Sequence, residues 1–235
     1  MTGRPEAPAD ACRAVFFDLD GTLIDTAPDM VAILADLLAD NGAEALPYSL
    51  ARASVSNGAM GLIRLAFPEA DDDTRERFYD EYLDRYERIV CVNSTLFPGL
   101  PAILDDLDRR NLPWGVVTNK PQRMTEPLLA KLGLDRRAAC IVSGDTLRQR
   151  KPDPEPLLLA SRLAGVPPAQ SIYVGDAERD IAAGRAAGMV TIAAGYGYIV
   201  SGDDPAGWRA DQVAADTVEL AKLIREAVTL GRKAS

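Results

Sequence analysis

Hydrophobic positions along the chain fall into two alternating textures. Ala14-Val15-Phe16-Phe17 is a short continuous apolar run ending on Asp18, which suits a strand buried on both faces. The same texture recurs at Trp114 to Thr118, Ala139 to Val142, Ile172 to Gly175 and Val190 to Ala194. Between these runs the apolar residues take helical spacing. Leu100, Ile103, Leu104 and Leu107 share a face, as do Met124, Leu128, Leu129 and Leu132, with Gly133 placed as a C-terminal cap. Leu157, Leu158 and Leu163 precede Gly165, and a helix after Asp180 stops near Gly188. Strand and helix alternating at this spacing predict an α/β fold, a parallel sheet with helices on both faces.

Residues 23–97 break that rhythm. Met30, Ile33, Leu34, Leu37 and Leu38 mark one helix, with Thr26 and Asp29 spaced as a capping box. A second stripe runs through Phe78, Tyr79, Tyr82, Leu83, Tyr86, Ile89 and Val90, and no strand pattern stands out. The expected organisation is a flexible N-terminal arm over 1–11, a core formed by 12–22 and 98–235, and an all-helical insertion over 23–97.

Composition removes more chemistry than it suggests. The chain has 235 residues, 47% hydrophobic and 26% charged, as in an ordinary globular protein. A formal net charge of -9 repels nucleic acid and anionic membranes. An anionic substrate then requires a local counter-charge, and a divalent cation is the obvious one. The sequence contains no histidine, which eliminates Ser-His-Asp and Cys-His nucleophiles and the HExxH metal site. Cys12, Cys91 and Cys140 form no CxxC pair, and none has an arginine six positions on. They read as small thiols in a reducing compartment. The first eleven residues lack a signal-peptide apolar region and no apolar run is long enough to span a bilayer, so a cytoplasmic protein is expected.

The candidate chemistry sits at strand ends. Asp18 and Asp20 flank Leu19, and residues two apart in an extended backbone project to one side. Both carboxylates can face one spot beyond the strand's carboxyl end, where open α/β sheets bind ligands. Two anions so close call for a cation or a shared proton, and magnesium prefers such hard oxygen donors. Gly21 permits a tight turn whose backbone N–H groups can receive phosphate oxygens. Thr118-Asn119 closes another strand with a hydroxyl and turn amides. Lys151 is held in the proline-rich loop Arg150-Lys151-Pro152-Asp153-Pro154, and Gly175-Asp176 again sets a carboxylate after a buried strand, with Asp180 four residues on.

Taken in order, Phe17-Asp18-Leu19-Asp20-Gly21-Thr22-Leu23, Thr118-Asn119, Lys151 and Gly175-Asp176…Asp180 resemble the four motifs of the haloacid dehalogenase superfamily. The resemblance spans nearly the whole chain beyond the N-terminal arm. It implies a Rossmann-like parallel-sheet core with an inserted all-helical, C1-type cap, and a magnesium-dependent aspartyl-phosphate mechanism. Under it, Asp18 is the nucleophile and Asp20 the general acid and base. Mg2+ is held by Asp18, the main-chain carbonyl of Asp20, and Asp176. Thr118 and the Asn119 amide bind the phosphoryl oxygens, Lys151 neutralises charge beside Asp18 and the phosphate, and Asp180 orients Lys151 or the metal's water shell. An aspartate at position 20 favours phosphate over halide chemistry, since a halide needs no proton. The absence of lysine from 23–97 sets aside the phosphonate hydrolases.

Finer resemblance points to the phosphoglycolate phosphatase-like branch. Thr118-Asn119-Lys120-Pro121, Lys151-Pro152-Asp153-Pro154 and Tyr196-Gly197-Tyr198 carry it. Trp114 to Val117, Glu155-Pro156, Gly197-Tyr198-Ile199 and Trp208 are similar to the N-acetylmuramic acid 6-phosphate phosphatases. The implied substrate is a small phosphorylated acid or sugar acid, N-acetylmuramic acid 6-phosphate or 2-phosphoglycolate, handled by a monomer or homodimer. Within the insertion, Ser56-Asn57-Gly58-Ala59-Met60-Gly61 is either a loop over the site, with Asn57 and Gly58 contacting substrate, or a plain helix-helix turn. Arg64 is either a second anion ligand or solvated, and Trp208 is expected to pack on the core. A phosphosugar mutase of the β-phosphoglucomutase type and a non-catalytic phospho-accepting domain stand as alternatives.

Overall fold

The computed structural model describes residues 12–200 and 202–230; the N-terminal arm expected over 1–11 lies outside them. In chain order the elements are β1 (Ala14–Phe17), β2 (Ile24–Asp25), α1 (Ala27–Asp40), α2 (Tyr48–Ala53), α3 (Gly58–Ala66), α4 (Asp72–Ile89) and β3 (Thr95–Leu96). They continue as α5 (Leu100–Arg109), β4 (Trp114–Val117), α6 (Gln122–Lys131), β5 (Cys140–Val142), α7 (Glu155–Ala164), β6 (Ser171–Gly175), α8 (Glu178–Ala186), β7 (Val190–Ala194), β8 (Gln212–Ala214) and α9 (Thr217–Leu230).

Six strands form one sheet in the order β5-β4-β1-β6-β7-β8, every neighbouring pair parallel. The α/β architecture expected from the apolar runs is therefore the observed one. All four residues of β1 are fully buried, and its side chains alternate between two cores. Val15 and Phe17 join the cluster that holds Leu104 of α5, Leu128 of α6 and Leu220 of α9. Ala14 and Phe16 join Leu157 of α7 and Ala183 of α8. Helices thus cover both faces, and each buried Phe contributes on the order of 1.5–3 kcal/mol. The chain runs from β1 to β4 and β5 on one side, then crosses to β6, β7 and β8 on the other. That reversal puts β1 at the switch point where such sheets open a crevice at their carboxyl ends.

The helical stripes of 23–97 are present as α1 and α4, which bury Met30, Ile33 and Leu34 against Phe78, Tyr82 and Leu83. The expectation of no strand in this stretch is corrected. β2 and β3 pair antiparallel, Ile24 with Leu96 and Asp25 with Thr95, where the chain leaves and re-enters the core. Two residues per strand are too few to show a period. β8 escaped for a similar reason: only Ala214 of its three residues is buried. Leu163, expected on the buried face of α7, is 57% exposed; Leu157 and Ala160 take that face. Trp208 packs with Ile181 and Ala193, as expected. Among the described residues no helix is long and apolar enough to cross a membrane.

Thr26 and Asp29 do not form the expected capping box; both are drawn away by distant partners. Thr26 Oγ1 donates to Asp20 Oδ1 at 2.6 Å. Asp29 is fully buried and accepts from the backbone N–H groups of Val92, Asn93 and Ser94 at 2.8–3.0 Å, from Ser94 Oγ at 2.6 Å and from Asn93 Nδ2 at 3.1 Å. One carboxylate so ties the start of α1 to the segment before β3. Asp29→Ala removes a charged acceptor and strands those donors, with an expected loss of ~3 kcal/mol in urea unfolding. A loss below ~1 kcal/mol would mean that other contacts hold the segment.

Candidate active site

Asp18 follows β1 directly, its N–H bonded to Val174 O at 2.8 Å, so the sheet ladder itself aims the carboxylate. Thr118 follows β4 in the same way, through Val142 O at 2.9 Å, and Asp176 follows β6. Into this row comes Lys151, only 3% exposed. Its Nζ lies 2.8 Å from Asp18 Oδ1 and 2.7 Å from Asp180 Oδ1, and donates to Val117 O at 3.0 Å and Tyr173 OH at 2.8 Å. The Asn119 side chain holds that lysine in place: Nδ2 donates to Lys151 O and Oδ1 accepts from Lys151 N, both at 3.0 Å. Sequence reasoning assigned position 119 a backbone contact to phosphate and missed this side-chain clamp.

Asp176 is equally sealed. It accepts from Thr22 Oγ1 at 3.0 Å, from Ser56 Oγ at 2.6 Å and from Tyr198 N at 2.9 Å. Two glycines make room for it. A Cβ on Gly21, whose φ is +84°, would fall 2.1 Å from Asp176 Oδ2, and one on Gly197 would fall 2.3 Å from its Cβ. The loop expected over 56–61 is corrected: Ser56 and Asn57 lie in a short 3₁₀ turn and Gly58–Gly61 in the first turn of α3. That turn touches the site through Ser56, whose carbonyl oxygen also accepts from the Arg179 guanidinium. Asn57 and Gly58 line the cavity above. Arg64 is exposed on α3 and is not part of that lining.

Asp20 stands apart from the other carboxylates. Lys120 Nζ contacts both its oxygens at 3.1 and 3.2 Å, beside the Thr26 hydroxyl. Lys120 lies in the run Thr118-Asn119-Lys120-Pro121, and no local pattern marks its role because its partner lies 100 residues away in sequence. The Asp20 carboxylate is consequently outside the acidic cluster, whose members are Asp18, Asp176 and Asp180, with oxygens within 4.8 Å of one another. Asp180 lies in the first turn of α8, which begins at Glu178 rather than after Asp180, and its Oδ2 accepts from Ala177 N at 3.1 Å.

Above these residues is a cavity of about 330 Å³. Asp18, Asp20, Thr118, Asn119 and Lys120 line its floor, and Lys151 reaches it only through Asp18. Charge below the floor is unbalanced, with three buried carboxylates facing the Lys151 ammonium and the neighbouring Arg179 guanidinium. Burial first, and then Asp18 and Asp180, push the Asp176 carboxyl up to about 7. Burial likewise raises Asp180, against the lowering pull of Lys151. Asp18 Oδ1 accepts no well-aligned hydrogen bond, although Lys151 Nζ is close. An under-satisfied buried oxygen among hard oxygen donors fits a divalent cation.

The haloacid dehalogenase-like hydrolase family model matches residues 15–194. An N-acetylmuramic acid 6-phosphate phosphatase of Pseudomonas putida is 46% identical over 219 residues, covering 92% of this chain and 97% of the relative. A phosphoglycolate phosphatase of Xanthomonas campestris pv. campestris is 44% identical over 199 residues, covering 85% and 90%. A crystal structure described as a predicted phosphoglycolate phosphatase from Haemophilus somnus 129pt superposes with a TM-score of 0.81 at 28% identity, covering 90% of this chain and 97% of that one. The relatives above 40% identity carry phosphatase names, so the mutase and phospho-accepting alternatives are set aside.

The raised carboxyl of Asp176 has a consequence for stability. An acid whose folded pKa exceeds its unfolded value binds more protons when folded, so its contribution falls as pH rises from about 4 toward about 7. A divalent cation binds the deprotonated form and offsets that loss. The thermal shift given by a divalent cation is therefore expected to be larger at about pH 8 than at about pH 5, and Asp176→Asn is expected to remove most of the difference. Equal shifts at both pH values would contradict it.

Proposed function

Because the chain belongs to the haloacid dehalogenase-like hydrolases, we propose that it hydrolyses a small phosphomonoester through an aspartyl-phosphate on Asp18. The observation that carries this reading is Asp18 itself: a buried carboxylate on the floor of a closed-over cavity, with one oxygen lacking a hydrogen bond and a lysine beside it. Asp18 forms a bond to phosphorus as the ester P–O bond breaks, and Asp20 gives its proton to the departing alkoxide. Asp20 then takes a proton from the water that cleaves the acyl phosphate, returning Asp18 as a carboxylate. For that work Asp20 exchanges its bonds to Lys120 and Thr26.

Thr118 and the Asn119 amide receive the phosphoryl oxygens, while Lys151 offsets the negative charge gathered on Asp18 and the phosphate. Asp180 and the Asn119 side chain hold Lys151 in position. Magnesium is the cation we assign to Asp18, Asp176 and the main-chain carbonyl of Asp20. When bound it supplies the remaining positive charge that phosphoryl transfer requires. Nothing here needs a histidine.

The substrate we propose is a phosphorylated acid or sugar acid, N-acetylmuramic acid 6-phosphate or 2-phosphoglycolate, the compounds that name the two phosphatase relatives. Free Cys12, Cys91 and Cys140 are the pattern of a reducing compartment, which supports a cytoplasmic site of action.

Asp18→Asn is expected to reduce phosphate release from an aryl phosphate by a factor of at least ~10⁴; substantial residual turnover would mean another nucleophile. Asp20→Ala is expected to slow alkyl phosphates ~10²–10⁴-fold and good leaving groups much less, read as the slope of log kcat against leaving-group pKa. An unchanged slope would remove Asp20 from the acid role.

A further inference from the structure

Three cationic side chains line the cavity, Lys120, Arg150 and Arg179. The wall built by α1 and α4 adds none, only Met30, Tyr79, Tyr82, Leu83 and Tyr86. The three cations are not equivalent. Lys120 Nζ is occupied by both oxygens of Asp20, and Arg150 is exposed in the loop beside Lys151. Arg179 stands in the first turn of α8, half-buried, with no ion-pair partner among the described residues. Its Nη2 donates to Ser56 O in the 3₁₀ turn before α3. Its Nε and Nη1 have no hydrogen-bond partner among the described residues, and neither is sealed from solvent. A guanidinium presents five N–H donors in one rigid plane. Fixing one nitrogen on Ser56 therefore orients the others while leaving them open.

We propose that Arg179 is a specificity-determining residue that binds the substrate's carboxylate, so that the site selects phosphomonoesters carrying a second anionic group. This rests on the phosphomonoester hydrolysis proposed above and deepens it, by giving the acid half of the substrate a residue of its own. The phosphoryl oxygens already have Thr118, the Asn119 amide and Lys151 in that reaction, on the floor of the cavity. Arg179 is bonded instead to the inserted helices, where the floor meets the cap, and the atoms beyond phosphorus extend in that direction. A planar fork pairs bidentately with a carboxylate, and a guanidinium already held by Ser56 loses less freedom on binding. The need for such a group is electrostatic. The chain carries a net charge of -9 and three carboxylates lie below the floor, so a substrate carboxylate is repelled unless a cation meets it. Burial opposes the charge on Arg179, but Asp180, Asp18 and Asp176 outweigh it and raise the group above its ordinary value. The sequence suggested Arg64 as a second anion ligand; the arginine that lines the cavity is Arg179.

Initial rates with magnesium on two matched pairs test this: 2-phosphoglycolate against ethyl phosphate, and N-acetylmuramic acid 6-phosphate against N-acetylglucosamine 6-phosphate. In each pair only the first ester carries a carboxylate. The wild type is expected to favour the acid member of at least one pair by about tenfold or more in kcat/KM. Arg179→Gln is expected to lower that acid's value about 10- to 100-fold, the worth of a charge-assisted contact, and to lower its neutral partner's by less than about threefold. Arg179→Lys keeps the charge and loses the fork, so a smaller loss, again confined to the acid, is expected. The ratio within a pair does not depend on the fraction of enzyme that is folded, and the lysine variant decides the matter if the glutamine variant does not fold. Losses of equal size on both members of the pair, or no loss on the acid, overturn the proposal. A wild type that cleaves the neutral esters as fast as the acids also overturns it and leaves hydrolysis standing. A wild type that cleaves none of the four refutes the hydrolase reading, and this inference with it.

Discussion

The structure depends on one ammonium group. Lys151 Nζ lies between Asp18 and Asp180 and also bonds the last carbonyl of β4 and the Tyr173 hydroxyl of β6. Two carboxylates buried this deeply carry a desolvation penalty of several kcal/mol each, which only a well-placed counter-charge offsets. The lysine therefore does more than complement Asp18. It fastens the ends of β1, β4 and β6 and the first turn of α8 to a common point. It also leaves the cluster short of positive charge, since three carboxylates face only this ammonium and the Arg179 guanidinium. An acidic cluster able to hold a divalent ion thus follows from the way the fold is held together.

How much of this was legible in the sequence follows from how far each signal reaches. Asp18, Thr118 and Asp176 each close an apolar run, so a strand reading brings them to one edge without knowledge of pairing. Lys151 could be attached by order along the chain and by its proline-rich loop. The alternation of strands and helices carried the sheet and its helix layers. What stayed hidden depends on contacts between distant positions. Lys120 meets Asp20 across 100 residues and Ser56 meets Asp176 across 120, and neither leaves a local trace. β2 and β3 are too short for periodicity to register. Thr26 and Asp29 mislead in the opposite direction, because a correct local pattern for a helix start loses to tertiary partners that satisfy more donors.

Several polar ties join the core to the inserted helices. Thr26 reaches Asp20, Ser56 reaches Asp176, Arg179 donates to Ser56 O, and the Tyr198 hydroxyl accepts from Ala27 N. The first two end on carboxylates assigned to the reaction. Removal of histidine from the repertoire leaves aspartate and lysine to do acid-base and positioning work together, which explains why hydroxyl and ammonium donors crowd around each acidic group.

The floor of the cavity is assembled from chain segments that lie far apart in sequence, whereas Met30, Tyr79, Tyr82, Leu83 and Tyr86 on the facing wall all fall between β2 and β3. In genetic terms the floor is dispersed and the wall is contiguous. A recombination event bounded by the two strands of that small ribbon could replace the wall whole, and a cluster of point changes within it could reshape the wall gradually. Neither would disturb the lysine knot beneath. Lineages built on this plan are free to explore new leaving alcohols while inheriting the phosphoryl chemistry intact.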